Sequence, residues 1–131
     1  MLRQTVRSRA DRSRAALAAG FAGASAVLLG AFGAHALRNL LDPAHRELWH
    51  TAVEYHAWHA LALVLAAGLG TGRAGRCAVT AFALGIVLFS GSLYALALGA
   101  PRWTGIVTPF GGLAFVVGWF ALGLALRPRK A

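Results

Sequence analysis

The chain has 131 residues, of which 58% are hydrophobic and only 13% are charged. Soluble domains carry about 25% charged residues, so this composition excludes an ordinary soluble domain and indicates a protein that has lipid as its solvent. The formal net charge is +9, but the basic residues stand at the ends of apolar runs and form no basic face, so nucleic acid is not an expected partner.

The first part of the chain, 1–14, contains five arginines and is predicted to be a disordered basic arm beside anionic lipid. The apolar run 15–37 that follows is long enough to span a bilayer core of about 30 Å. Its end, Ala34-His35-Ala36, resembles a signal-peptide cleavage site. The run exceeds the roughly 7–15 residues of a signal h-region, which favours a retained span. Small residues recur every fourth position and predict a close helix contact: Ala22, Ala26, Gly30 and Ala34.

Three further spans are predicted over 51–69, 77–100 and 106–126, and together with the first they form a membrane domain over 15–127. Asp42-Pro43 predicts a helix start that continues into the second span, because Asp is a favoured N-cap and Pro a favoured first residue. Arg73 and Arg76 are assigned to the turn before the third span. Residues 128–131 form a basic tail.

Charge sets the predicted orientation. Ten of the thirteen Lys and Arg residues fall in the arm, the 73–76 turn and the tail, and three fall in the other two connections. Cytoplasmic loops carry the excess of Lys and Arg, so both termini are predicted to be cytoplasmic. Short connections force neighbouring helices to be antiparallel. The predicted fold is therefore an all-α, integral membrane four-helix antiparallel bundle, N-in/C-in.

Polar residues within the predicted spans concentrate in the outer, periplasmic half. A buried polar group in hydrocarbon is costly unless it finds a partner, and such residues are functional candidates by default. We expect one shared polar pocket or network that contains His35, Tyr55, His56, His59, Ser90, Ser92, Tyr94 and Thr108. Tyr55, His56 and His59 are predicted to share the inward face of the second helix. Glu54 points elsewhere and is placed at the membrane interface.

Four motifs follow one another in order: Gly30-Ala31-Phe32-Gly33-Ala34-His35, Tyr55-x-x-x-His59, Phe89-Ser90-Gly91-Ser92-x-Tyr94 and Thr108-Pro109-x-Gly111-Gly112. This series resembles the uncharacterised DUF423 (YgdD-like) family of small inner-membrane proteins over roughly 15–126. The resemblance implies a four-span protein of the bacterial inner membrane and no particular activity. From the residues alone, close packing or irregular backbone is expected at Gly30, Gly33, Gly91, Pro109, Gly111 and Gly112.

The expected function is non-enzymatic: an accessory, assembly or small-ligand-binding protein without a cofactor. Ser90, Ser92 and His59 lack a nucleophile elbow and a third member, so a hydrolase is not expected. One alternative is a redox protein that binds haem b or a transition metal through His35, His56 and His59. The second alternative is an oligomeric proton-coupled transporter that uses Glu54 and the histidines. The lipid bilayer is the expected partner, with a homo-oligomer or a larger membrane complex left open.

Overall fold

The computed structural model describes residues 8–128, and all regular structure in this part of the chain is helical. The elements are α1 (Arg9–His35), α2 (Pro43–Leu69), α3 (Gly72–Gly85), a π-helical segment (Ile86–Ser90), α4 (Gly91–Ala97), a 3-10 turn (Arg102–Ile106) and α5 (Thr108–Ala125). Four stretches are long and apolar enough to cross a membrane: Arg9–His35, Pro43–Leu69, Gly72–Ala97 and Arg102–Ala125. The predicted all-α, four-span fold class is confirmed.

Helix α1 begins earlier than hydropathy predicts. Ser8 caps it, because its Oγ accepts the backbone N–H of Asp11 at 3.0 Å, and Asp11 lies in the first turn. Part of the arm that the sequence predicts as disordered, residues 9–14, is therefore helical. The remainder of the arm, 1–7, and the last three residues of the basic tail, 129–131, lie outside the described residues.

Helix α2 begins where Asp42-Pro43 predicts. The Asp42 carboxylate accepts the backbone N–H of His45 at 3.0 Å, and its other oxygen lies 2.6 Å from Nδ1 of the same residue. The backbone N–H of His45 and then its ring hold the pKa of Asp42 below the ordinary value of 3.8. The helix continues without a break to Leu69, so its first turns precede the predicted span, 51–69.

The connection between α2 and α3 is tighter than the sequence predicts. Only residues 70 and 71 lie between the two helices, so Arg73 and Arg76 belong to α3 and not to a turn. Gly72 adopts a φ of +64°, a left-handed conformation that residues with a Cβ rarely adopt. Gly70 and Gly75 pack backbone to backbone, since a Cβ on Gly75 would lie 2.8 Å from the Gly70 carbonyl oxygen. Glycines at these positions let the chain reverse within two residues.

The four spans do not close a ring. Helix α1 packs along α2, whereas α2 packs on its other side against α3, the π segment and α4. Helix α5 packs along α3 and the π segment and touches α2 less extensively. The face of α1 toward α2 is built from alanines, so the two backbones approach closely: Ala15, Ala19, Ala22 and Ala26 are buried. Gly30 continues this face against Val53, but Ala34 is exposed.

Candidate functional site

The polar residues of the spans divide between two clusters and two serine contacts, so the predicted single pocket is wrong. His56 and His59 are three residues apart, about 60° around a helix. That angle is enough for His56 to reach α1 and α4 and for His59 to reach α5. The first group, named the His56 cluster, consists of Ser25, Trp49, His56 and Tyr94. The second, the His59 cluster, consists of Tyr55, His59, Phe82, Phe115 and Trp119.

In the His56 cluster, one imidazole joins three helices. Nε2 of His56 lies 3.2 Å from Ser25 Oγ, and Nδ1 lies 2.9 Å from the Tyr94 hydroxyl. The Ser25 hydroxyl also donates to the Ala22 carbonyl at 3.1 Å. All groups are satisfied when His56 Nε2–H donates to Ser25 and the Tyr94 hydroxyl donates to Nδ1. Sequence reasoning missed Ser25, although a lone hydroxyl in an apolar span signals a partner.

Trp49 completes this cluster and is buried, with 5% of its surface exposed. Its indole Nε1–H donates to the Leu29 carbonyl of α1 at 3.0 Å, and its ring lies 4.7 Å from that of Tyr94. The indole rests directly on Gly33, where a Cβ would overlap it. Trp49 is therefore a contact between α1 and α2 that only glycine at position 33 permits.

In the His59 cluster, both nitrogens of the buried imidazole are engaged. Nδ1–H donates to the Tyr55 carbonyl at 2.6 Å, and Nε2 accepts the indole N–H of Trp119 at 3.2 Å. The ring stacks on Phe115 with centroids 3.5 Å apart and planes 10° apart. A carbonyl acceptor at Nδ1 and an indole donor at Nε2 together require the neutral tautomer with its proton on Nδ1. His59 thus fastens α2 to α5 in the middle of an aromatic core.

The hydroxyl groups of the two predicted serines donate hydrogen bonds to backbone carbonyls. Ser90, at the end of the π segment, is fully buried and donates to the Ala52 carbonyl of α2 at 2.8 Å. Ser92 donates to the Phe89 carbonyl at 2.9 Å and lies 2.6 Å from Thr108 Oγ1. Ser92 has a single proton, so the Thr108 hydroxyl is the donor in that pair. These contacts fix the third span against its two neighbours.

Two predicted polar residues lie apart from both clusters. His35 is exposed in the last turn of α1. Glu54 is half-exposed, and its carboxylate lies 3.7 Å from His50 Nδ1, one turn earlier on α2. Among residues 8–128, no group of three or more His, Cys, Asp or Glu is placed to hold a metal ion. His35 is exposed and takes part in neither cluster, and the ring nitrogens of His56 and His59 are hydrogen-bonded within the protein.

An open groove of about 660 Å³ lies between the end of α1, the connection to α2 and the first turns of α2. We name it the α1–α2 groove. Its apolar lining is Gly30, Gly33, Ala34, Leu37, Leu41, Pro43, Trp49 and Val53, and its polar rim is Arg38, Arg46, Glu47 and His50. Sequence reasoning missed this groove. Its signals in the sequence were Arg38 in the connection, Arg46 in the first turn of α2 and the small residues Gly30, Gly33 and Ala34.

Comparison with known proteins relates the chain to membrane proteins. A family model described as "Protein of unknown function (DUF423)" matches residues 29–112. The UPF0382 membrane protein YwdK of Bacillus subtilis is 45% identical over 105 residues, which cover 76% of this chain and 85% of YwdK. The UPF0382 inner membrane protein YgdD of Escherichia coli is 42% identical over 99 residues, 71% of this chain and 73% of YgdD. No solved structure matches the chain significantly.

Proposed function

Because the chain belongs to the DUF423 family of membrane proteins, whose function is unknown, we propose a function from its own residues. The protein is a non-enzymatic component of the bacterial plasma membrane that binds a small amphiphilic ligand from the bilayer. The binding site is the α1–α2 groove. The observation that carries this proposal is the groove itself, about 660 Å³ with a mostly apolar lining and a charged rim, since ligand sites are mostly apolar concavities with a few polar groups.

A structural role for the intramembrane polar residues supports the non-enzymatic part of the proposal. A general base or nucleophile needs a free lone pair within reach of a substrate. The imidazoles of His56 and His59 instead use both nitrogens within the protein, and Ser90 donates to backbone. Intramembrane hydrogen bonds of this kind hold helices together. The two clusters therefore hold α2, which forms one side of the groove, against α1, α4 and α5.

The proposal includes an orientation with both termini in the cytoplasm, which places the α1–α2 groove at the outer leaflet. Its support is the excess of basic residues at the opposite end. In a Cys77→Ala background, we expect Asn39→Cys to react with a membrane-impermeant maleimide in intact spheroplasts. Pro128→Cys is expected to react only after lysis. Both positions are exposed. The reverse labelling pattern would contradict this orientation.

Ligand binding is tested by filling the α1–α2 groove. Ala34 is exposed and lines the groove, so Ala34→Leu projects three further carbons into it. Ala31 is also exposed on α1 but does not line the groove, which makes Ala31→Leu a matched control. We expect native mass spectrometry from mild detergent to show bound lipid-sized ligand on the wild type and on Ala31→Leu. Occupancy of Ala34→Leu should fall about tenfold, the equivalent of about 1.4 kcal/mol.

The same spectra decide against the proposal in two ways. A wild-type protein that carries no ligand at detergent concentrations that preserve its fold would contradict it. Equal occupancy of Ala34→Leu and Ala31→Leu would contradict it as well, because the ligand would then lie elsewhere. The charge-state series also reports whether the protein is a homo-oligomer, which the sequence analysis left open.

A further inference from the structure

We propose that the occupant of the α1–α2 groove is an anionic glycerophospholipid, an inference that rests on the proposed function and names its ligand class. The lipid phosphate lies between Arg38 and Arg46 on the rim. An acyl chain lies against the apolar wall that ends at Gly30 and Val53. The groove thereby takes one lipid out of the surrounding bilayer and holds it by both charge and shape.

The groove rim carries two arginines that form no ion pair within the described residues. Arg38 and Arg46 are both exposed, and neither forms an ion pair with an acidic residue in the described part of the chain. The groove lining holds two arginines and one carboxylate, that of Glu47, so the lining itself carries an excess of positive charge. The carboxylates of Asp42 and Glu54 do not line the groove and lie beside His45 and His50. The planar guanidinium of arginine matches the geometry of a phosphate and can bind it through two hydrogen bonds.

The distribution of polarity along the groove matches one amphiphile. Arg38 lies in the connection and Arg46 in the first turn of α2, the two ends of the connection between the first and second spans. The apolar lining continues from Leu37 in the connection onto α1, where Ala34 to Gly30 extend it by about 6 Å toward the middle of the span. A charged head at the connection and a hydrocarbon chain below it reproduce this order. A free phosphate would leave the apolar wall uncovered.

The small residues of the motif Gly30-x-x-Gly33-Ala34 give the groove its depth. Gly33 allows the Trp49 indole to lie against the α1 backbone and close the floor. Gly30 and Ala34 project little or nothing into the groove. Larger residues at these places would fill the volume that an acyl chain requires. The motif that the sequence analysis assigned to helix packing therefore also shapes the groove.

The test separates charge from shape. Delipidated protein is incubated in mild detergent with equimolar phosphatidylglycerol and phosphatidylethanolamine, and the bound lipids are measured by native mass spectrometry. We expect the wild type to enrich phosphatidylglycerol. Arg38→Gln and Arg46→Gln should each reduce the enrichment roughly fivefold, because one arginine contributes about that factor toward anionic lipid. The double variant should show little preference.

Arg102→Gln is the matched control, since Arg102 is exposed on the other connection at the same end of the bundle and lines no part of the groove. It should enrich phosphatidylglycerol as the wild type does. Equal loss in Arg102→Gln, or enrichment that survives in the double arginine variant, would overturn the inference. Displacement of lipid by glycerol 3-phosphate with the same arginine dependence would assign the rim to a soluble anion and also overturn it.

The result distinguishes this inference from the proposed function. If the wild type binds both lipids without preference and Ala34→Leu binds neither, the groove is a lipid site and only the anionic class is wrong. If no variant of Ala34 changes binding, the groove is not the site and both fail. All variants change exposed residues, and a thermal unfolding curve for each verifies that folding is unaffected.

Discussion

Replacing Gly111 with alanine is expected to destabilise the protein by about 1–3 kcal/mol, the usual range for overpacking a filled core. A Cβ at this position would overlap the backbone nitrogen of Phe89 and lie 2.7 Å from its Cα. Backbone cannot rotate away as a side chain can, so α5 would have to move off the π segment. The helix propensity of alanine, about 1 kcal/mol better than that of glycine, offsets only part of this cost.

Gly112 provides a control one residue away in the same motif. A Cβ there would lie 3.7 Å from the nearest atom, Cδ2 of Phe89, which is an ordinary van der Waals distance. We therefore expect Gly112→Ala to be neutral or to stabilise the protein by up to about 1 kcal/mol. The measurement is the free energy of unfolding of each variant, from denaturant titration in mixed micelles. Equal stabilities of the two variants would show that α5 does not approach the π segment so closely.

This pair of glycines shows where sequence reasoning ends. The motif Thr108-Pro109-x-Gly111-Gly112 predicts a close approach, and α5 indeed begins at Thr108. Which glycine makes the approach depends on the opposite backbone, and there the chain takes a π turn over Ile86–Ser90. Nothing in the local composition marks that turn. Hydropathy, helix capping and span length are local properties, and for that reason the four spans and the Asp42 cap could be predicted.

The polar residues show the same difference between local properties, which the sequence predicts, and contacts that depend on a neighbouring helix. A 3.6-residue period gives the direction of a side chain from its own helix axis but not the identity of the neighbouring helix. It placed His56 and His59 on similar faces of α2, and an angle of about 60° was too small to predict different partners. The prediction of one shared pocket also assumed that α1 closes a ring of four helices. Because α1 packs mainly on α2, His35 stays outside the clusters and the groove opens beside it.

Among the polar residues of the spans, His59 is expected to contribute most to the free energy of unfolding. His59→Ala should destabilise the protein by about 2–4 kcal/mol, in line with large-to-alanine changes in filled cores. The ring is 5% exposed and stacks on Phe115, so its removal leaves a cavity, and lipid cannot replace the lost dispersion contacts. His50→Ala is the matched control on α2. Its side chain is 72% exposed, and its Nδ1 lies 3.7 Å from the Glu54 carboxylate, so we expect a change within about 0.5 kcal/mol.

A double-mutant cycle with Trp119→Phe separates the hydrogen bond from the packing. Trp119 donates its indole N–H to His59 Nε2 at 3.2 Å, and phenylalanine keeps most of the ring while removing the donor. Intramembrane hydrogen bonds measured by such cycles average about 0.6 kcal/mol, with a maximum near 1.7. We expect a coupling energy in that range, well below the total cost of His59→Ala. A coupling near zero would mean that the bond from Trp119 adds no stability and that His59 acts through its packing and its bond to the Tyr55 carbonyl. A Soret band or stoichiometric metal that disappears in His59→Ala would instead support the haem or metal alternative.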